Sequence, residues 1–397
     1  MNTCTFCPAP WISISTDITG ESRPCCRYEH TTEYDSGYTY GMPNLKDGTI
    51  DEVYNSPKFQ ELRAAFLRGE KPAECNACWE EEEAGVYSLR RRFNKRVRMY
   101  DIDYDLQGHQ IPRIFDFKLS NACNYRCRMC NPMTSSSIQK EMEEQGEIRI
   151  ADDMIDREIE TPEQIAYRTS TKILDLSHNQ QIFFEKWLPH VREIELTGGE
   201  PFFSHENLEL IQRIAETPYV SDITLCITTN GSVYNEHLVA SLKKFKRVVL
   251  VISCDDMGER LEYSRDQSSW DNVISNYHKF NSHGFGEVKL HSTISNYNVW
   301  YQKEFLEYCN EHRIRLSHGF VWGPPHLCVH NINRKLKDII IDKYKDHKKF
   351  QTLINFINID GPDLTYRFLG HIKAYDMIRN QDHAKTYPEY HKILMDL

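Results

Sequence analysis

The sequence predicts an α/β core, either a partial (β/α) barrel or an open doubly wound parallel sheet, with a small cysteine-rich module before it and a helical extension after it. Three observations predict this. Between about 111 and 323, six short β-branched or apolar runs alternate with helix-like stretches, and strands alternating with helices imply parallel pairing through right-handed crossovers. Six of the thirteen cysteines precede residue 95, in a stretch with few long apolar runs. The region 331–397 reads as mostly helical and is rich in Tyr, His and Lys.

In chain order, residues 13–18 read as a strand of a strand-turn-strand segment bracketed by Cys7 and Cys25. The acidic run 80–83 and the basic run 90–99 read as solvated faces or linker. The core strands are expected at 113–119, 191–197, 222–228, 247–253, 287–294 and 316–322, with helices at 206–216, 236–245, 270–280 and 301–312. The polar stretch 133–190 reads as one helix plus an insertion. The expected domains are thus 1–95, 111–323 and 331–397, the last a solvated helical layer against the core, locally basic at 334–349.

With 397 residues, 40% hydrophobic and 27% charged, the chain can bury a large core with one or two appendages. A net charge of -10 argues against a general nucleic-acid coat and leaves a local basic patch open. The start, MNTCTFCPAPW, lacks a basic segment followed by an apolar one. No apolar run approaches the ~18 residues of a bilayer span. A cytoplasmic protein without a membrane segment is expected.

Clustered cysteines in a reducing compartment read as metal ligands or catalytic thiols before disulfides. Cys226, Cys254, Cys309 and Cys328 stand singly and read as packing residues. Cys123, Cys127 and Cys130 directly follow the first core strand, in SNACNYRCRMC. Three thiolates suit an iron-sulfur cluster with one iron left open, or zinc. In the N-terminal region, Cys7 and Cys25 from the hairpin and Cys75-x2-Cys78 make a four-thiolate set, in which Cys26 or Cys4 could replace one ligand. Zinc held by Cys4-x2-Cys7 and Cys75-x2-Cys78 is the competing reading. After the second core strand comes Thr197-Gly198-Gly199-Glu200-Pro201, where paired glycines admit close backbone approach to a ligand and Glu200 can accept from an ammonium group.

The triplet after strand one and GGEP after strand two, in that order, resemble the radical S-adenosylmethionine (SAM) superfamily over roughly 111–323. The resemblance implies a partial, TIM-like (β/α)6 barrel. It implies a 4Fe-4S cluster on Cys123, Cys127 and Cys130 whose open iron is chelated by the SAM amino and carboxylate groups. Gly198, Gly199 and Glu200 match the loop that holds the SAM amino group, and Thr229-Asn230-Gly231 matches the family's TNG segment. Ser253, Asp255 and Arg265 match positions near the SAM carboxylate and ribose, and Asn296 lies where a strand end touches adenine. Met129 stands where the family usually has an aromatic residue and can still pack against adenine. The spacing Cys7-x12-Gly20-x4-Cys25 resembles the Twitch/SPASM auxiliary-cluster modules, implying a second 4Fe-4S cluster on Cys7, Cys25, Cys75 and Cys78. Such modules usually follow the barrel; here it precedes it.

The resemblance implies reductive cleavage of SAM to a 5'-deoxyadenosyl radical that abstracts hydrogen from a substrate C–H bond, with a one-electron donor such as flavodoxin or ferredoxin. The expected function is net oxidation or modification of a peptide or protein side chain. A small-molecule substrate such as a sugar or nucleoside derivative is the alternative, and a non-enzymatic metal-binding regulator the third reading.

Overall fold

A computed structural model of the chain describes residues 5–28, 42–46, 48–83, 85–152, 154–157 and 177–397; Cys4 lies outside them. In chain order the strands are β1 (Ser13–Thr16), β2 (Ser22–Arg23), β3 (Ile114–Phe117), β4 (Arg126–Cys127), β5 (Ile148–Ala151) and β6 (Met154–Arg157). They continue with β7 (Glu193–Leu196), β8 (Thr224–Thr229), β9 (Arg247–Ser253), β10 (Arg265–Asp266), β11 (Gly286–Ile294) and β12 (Leu316–Phe320). Each expected core strand is present, trimmed or shifted by a few residues at most. Helices His205–Ala215, Glu236–Leu242, Trp270–Ser282 and Gln302–Glu311 follow them, as the alternation requires. Ser204 and Ser269 start the first and third of these by accepting from Asn207 N and Asn272 N. The fold is mixed α/β with parallel strands. No helix among the described residues is long and apolar enough to cross a membrane.

The chain divides into two compact units. The first comprises Met1–Asn121, Thr161–Ile227 and His237–Val249. Its sheet places β1 between β2, antiparallel, and β3, parallel, with β7 and β8 continuing parallel beyond β3. The N-terminal hairpin therefore extends the core sheet. Along β3, β7 and β8 the side chains alternate. One face carries Phe115, Phe117, Ile194, Leu196, Leu225 and Ile227, all buried. Phe183 and Trp187 pack edge-on or tilted against Phe115 at 5.3 and 5.6 Å between ring centres. The other face carries a polar row in strict register, Ser15, Asp116, Glu195 and Cys226.

The basic run expected to be linker is the helix Leu89–Met99, capped by Ser88. Two of its arginines turn inward. Arg90 pairs with Glu82 and donates to Phe6 O at 3.0 Å, and Arg96 pairs with Glu193 and Glu195 at 3.2 and 2.6 Å. A charge run reads as solvated only where no buried carboxylate waits opposite it, and opposite charges are set by the fold.

The second unit comprises Ala122–Glu160, Thr228–Glu236 and Leu250–Leu397. Here β11 and β12 pair in parallel, β4 pairs antiparallel with β10, and β5 and β6 form a hairpin. The 133–157 part of the polar stretch is the helix Ser136–Gln145 followed by that hairpin. The C-terminal helices are more than a solvated layer. Phe368, His371 and Tyr375 of the helix Thr365–Arg379 are fully buried, and its Arg379 makes a double hydrogen bond to Glu141 at 2.8 and 2.9 Å.

Candidate metal centres

The cysteine triplet is shaped by the serines after it. Ser135 caps the helix Ser136–Gln145 and its hydroxyl donates to Tyr125 O at 2.8 Å. Ser136 Oγ accepts from Cys123 N at 3.1 Å, and Ser137 donates to Cys123 O at 2.7 Å. Cys130 N closes a turn onto Cys127 O at 3.1 Å. Cys123, Tyr125 and Cys127 form a buried cluster with Met129 and Cys130 packed against it. The sulfurs of Cys127 and Cys130 share a hydrogen bond that keeps the proton on Cys127 and lowers Cys130, which Arg265 lowers further. Arg128, between these two cysteines, is buried and anchors the loop. It donates to Asp376 and Gln381 at 2.9 and 2.7 Å and lies 3.8 Å over the Tyr263 ring. Two buried thiols with the half-buried Cys130 packed against them fit a cluster with an open iron, because a cation is what lets buried thiolates persist.

The antiparallel β4–β10 pairing sets Arg265 opposite Cys127. Arg265 Nη1 stands 3.7 Å from Cys127 Sγ, and the same guanidinium grips Asp255 at 2.8 and 3.1 Å. Asp255 also accepts from Thr293 N at 2.9 Å. Asn230 is bonded to the cysteine loop: its Nδ2 donates to Asn124 Oδ1 at 2.9 Å. Thr229 Oγ1 accepts from Gly231 N. Gly231, at φ 75°, allows that turn, since a Cβ there would meet Ile252 Cγ2 at 2.7 Å. Ser253, half-buried, ends β9. Asn296 is buried, with Nδ2 committed to the carbonyls of His326 and Cys328 at 2.9 and 3.2 Å. Cys123, Cys127, Cys130, Met129, Thr229, Asn230, Ser253, Asp255, Arg265 and Asn296 thus all belong to the second unit.

Gly198, Gly199 and Glu200 belong to the first unit. The two glycines have φ of 78° and 51°, a region that side chains with Cβ resist. A Cβ at Gly198 would meet Lys118 Cβ and Cγ at 3.0 Å. Glu200 is fully buried and accepts from Phe202 N at 3.1 Å.

In the same unit the N-terminal thiols act on one another. Burial pushes Cys7 up to about 12, and Cys25, Cys75 and Cys78 are also raised. Mutual repulsion adds to burial: Cys25 senses Cys26 first and then Cys7, Cys75 and Cys78, and Cys75 senses Cys7 and Cys78. These thiols lie within electrostatic reach of one another. The charged groups acting most on the exposed Cys26 are instead Asp116, Lys118 and Glu195. A four-thiol pocket suits a fully ligated cluster.

Those carboxylates belong to the polar row, which composition and periodicity did not single out. Asp116 accepts from Ser15 and Thr197 at 2.8 and 3.2 Å. Burial, then the neighbouring Glu195, raises its pKa. Glu195 is raised to about 7 by burial and by Glu193, against the pull of Arg96. Cys226 is no plain packing residue. Half-buried, it is raised by burial and by Glu193 and Glu195. A parallel strand buried on both faces should be apolar throughout, so Glu193 and Glu195 within one strand were the available signal.

Comparison with known proteins places these features. Residues 117–309 match the model of the radical SAM superfamily, and residues 7–79 match SPASM, an iron-sulfur cluster-binding domain. A GTP 3',8-cyclase of Ectopseudomonas mendocina is 35% identical over 105 residues, 26% of this chain and 31% of that protein. A probable GTP 3',8-cyclase of Thermococcus kodakarensis is 29% identical over 129 residues, 32% and 30% of the two chains. The chain therefore spans about a third of the length of these relatives. Among solved structures, anSMEcpe with bound AdoMet and Cp18Cys peptide aligns with a TM-score of 0.37 at 13% identity, covering 60% of this chain and 61% of that one. Streptococcus suis SuiB bound to its precursor peptide SuiA gives 0.36 at 15%, covering 75% and 60%. The chain is an enzyme that uses a SAM-binding 4Fe-4S cluster and auxiliary iron-sulfur ligation. It carries a radical SAM domain and, ahead of it, an iron-sulfur cluster-binding SPASM domain.

Proposed function

We propose that this enzyme carries out a net oxidation at a C–H bond of a peptide or protein side chain. In this reading Cys123, Cys127 and Cys130 hold the SAM-binding cluster, and Cys7, Cys25, Cys75 and Cys78 the auxiliary one. When bound, SAM and the two clusters supply the radical that takes the hydrogen atom and an acceptor for the electron the product gives up. The chain's own residues must then take a proton. Glu195, raised by burial to about 7, is an acceptor poised near neutrality, and the buried Asp116 beside it is also raised. The observation that carries the reading is their pairing in register across β3 and β7, where both act electrostatically on Cys26, the residue next to Cys25. By the family resemblance, Gly198, Gly199 and Glu200 would hold the SAM amino group. By the same resemblance, Thr229, Asn230, Ser253 and Met129 would make further SAM contacts. Asp255 and Arg265 orient each other and the Cys127 thiolate. Asn296 would lie near adenine by the same resemblance.

Similarity to the GTP 3',8-cyclases makes a nucleotide the second reading. The test is anaerobic incubation of the reconstituted enzyme, SAM and reductant with deuterated cell extract, reading deuterium in 5'-deoxyadenosine. Transfer should vanish when the extract is first treated with protease. Transfer that survives protease but not phosphatase would replace the peptide reading with the nucleotide one.

A further inference from the structure

We infer that the second unit holds a mononuclear divalent transition-metal site, best suited to zinc, on Asp156, His326 and His371. The three residues come from three different elements: β6, the short turn Pro325–Leu327, and the helix Thr365–Arg379. One ligand atom from each lies within 4.8 Å of the other two. Both histidines are fully buried and the Asp156 side chain is 3% exposed.

The distances separate this from an ordinary ion pair. His326 Nε2 stands 3.3 Å from Asp156 Oδ1, and His371 Nε2 stands 3.5 Å from Asp156 Oδ2. A charge-assisted N–H···O bond closes to about 2.7–2.9 Å. Ligand atoms bound to one zinc at about 2.0–2.1 Å stand about 3.3–3.5 Å apart in a tetrahedron. The two separations run to different oxygens of Asp156, and each matches the spacing of donor atoms around a shared cation.

The surroundings orient the ligands as metal sites require. Tyr375 Oη donates to Asp156 Oδ2 at 2.6 Å, and Tyr297 Oη lies 2.5 Å from His371 Nδ1. That second bond occupies Nδ1 and leaves Nε2 as the ligand atom. Asn296 holds the third arm by donating to His326 O. Gly370 makes the geometry attainable, since a Cβ there would meet Ile150 O at 2.0 Å. The helix thus passes against the β5–β6 hairpin closely enough for His371 to reach Asp156. Two imidazoles and one carboxylate suit zinc, iron or manganese.

The test uses the full chain with both clusters reconstituted anaerobically. It is equilibrated with micromolar zinc chloride, desalted, and assayed for zinc and iron by plasma mass spectrometry. One zinc per chain is expected, lost in H326Q, H371Q and D156N with iron unchanged. Y375F keeps the ring and removes only the hydroxyl on Asp156, and should weaken zinc about 10–100-fold. This conservative variant keeps the test decisive should the ligand variants fold poorly. A parent chain that retains no zinc overturns the site. So does zinc retained equally by the histidine variants, which would place it on cysteine.

Discussion

Replacing Arg265 by methionine is the sharpest test of how the cluster loop is built. The substitution keeps the length of the side chain and removes its charge. It strands the fully buried Asp255 carboxylate, which keeps the Thr293 N–H donor at 2.9 Å. Breaking a buried pair by removing one partner costs about 3–5 kcal/mol, chiefly through the charge left behind. The double variant R265M/D255L removes both charges and loses only the bond from Thr293 N–H, about 1 kcal/mol. It should therefore recover about 2 kcal/mol relative to R265M. Urea unfolding of the cluster-free chain, followed by far-UV circular dichroism, gives both differences. The cluster supplies an independent readout. At 3.7 Å and an effective dielectric near 20, the cation attracts the Cys127 thiolate by about 4.5 kcal/mol before Asp255 offsets part of it. R265M should therefore make the cluster harder to reduce, seen as a lower potential in electron paramagnetic resonance titration. A double variant no more stable than R265M, or an unchanged potential, would falsify the argument that this pair is a charge-balanced brace on Cys127.

Three further outcomes follow from the same geometry. C25S should lower iron from about eight to about four per chain, as should C78S, whereas C26S should leave it unchanged, because Cys25 senses Cys7, Cys75 and Cys78 whereas Asp116, Lys118 and Glu195 act most on Cys26. The oxidation rate should rise as pH passes about 7, where Glu195 loses its proton, and E195Q should abolish that inflection. Glu195 has the opposite effect on stability. Its folded value lies above the ordinary 4.5, so its contribution is fully present below 4.5 and is lost as pH rises to about 7, visible as a falling urea midpoint. G198A forces a φ of 78° on a residue with a Cβ and crowds Lys118 at 3.0 Å, which should cost about 1–3 kcal/mol and weaken SAM binding measured by equilibrium dialysis.

Much of the fold was legible because strands and helices announce themselves by period. The β9 boundaries, Arg247–Ser253, match the expected ones residue for residue, since an unbroken β-branched run has sharp edges. The basic run 90–99 was misread because a guanidinium's partner is not local: Arg96 meets carboxylates about a hundred positions away. Cys226 was misread for the same reason. Its neighbours Glu193 and Glu195 arrive by strand pairing.

By itself, the sequence determined the chemistry. Soft thiolates at Cys123-x3-Cys127-x2-Cys130, paired glycines before Glu200 and a four-cysteine N-terminal set define which cofactors can bind, because ligand type and short spacing are local properties. Tertiary structure decided what surrounds them. Parallel pairing of β1 with β3 joined the N-terminal hairpin to the core sheet and aligned Ser15, Asp116, Glu195 and Cys226 in one row. The β4–β10 pairing set Arg265 against Cys127, and the close pass of the helix at Gly370 brought His371 to Asp156. Each of these depends on which strand lies beside which and how closely backbones approach. A linear pattern does not encode that until the whole chain has packed.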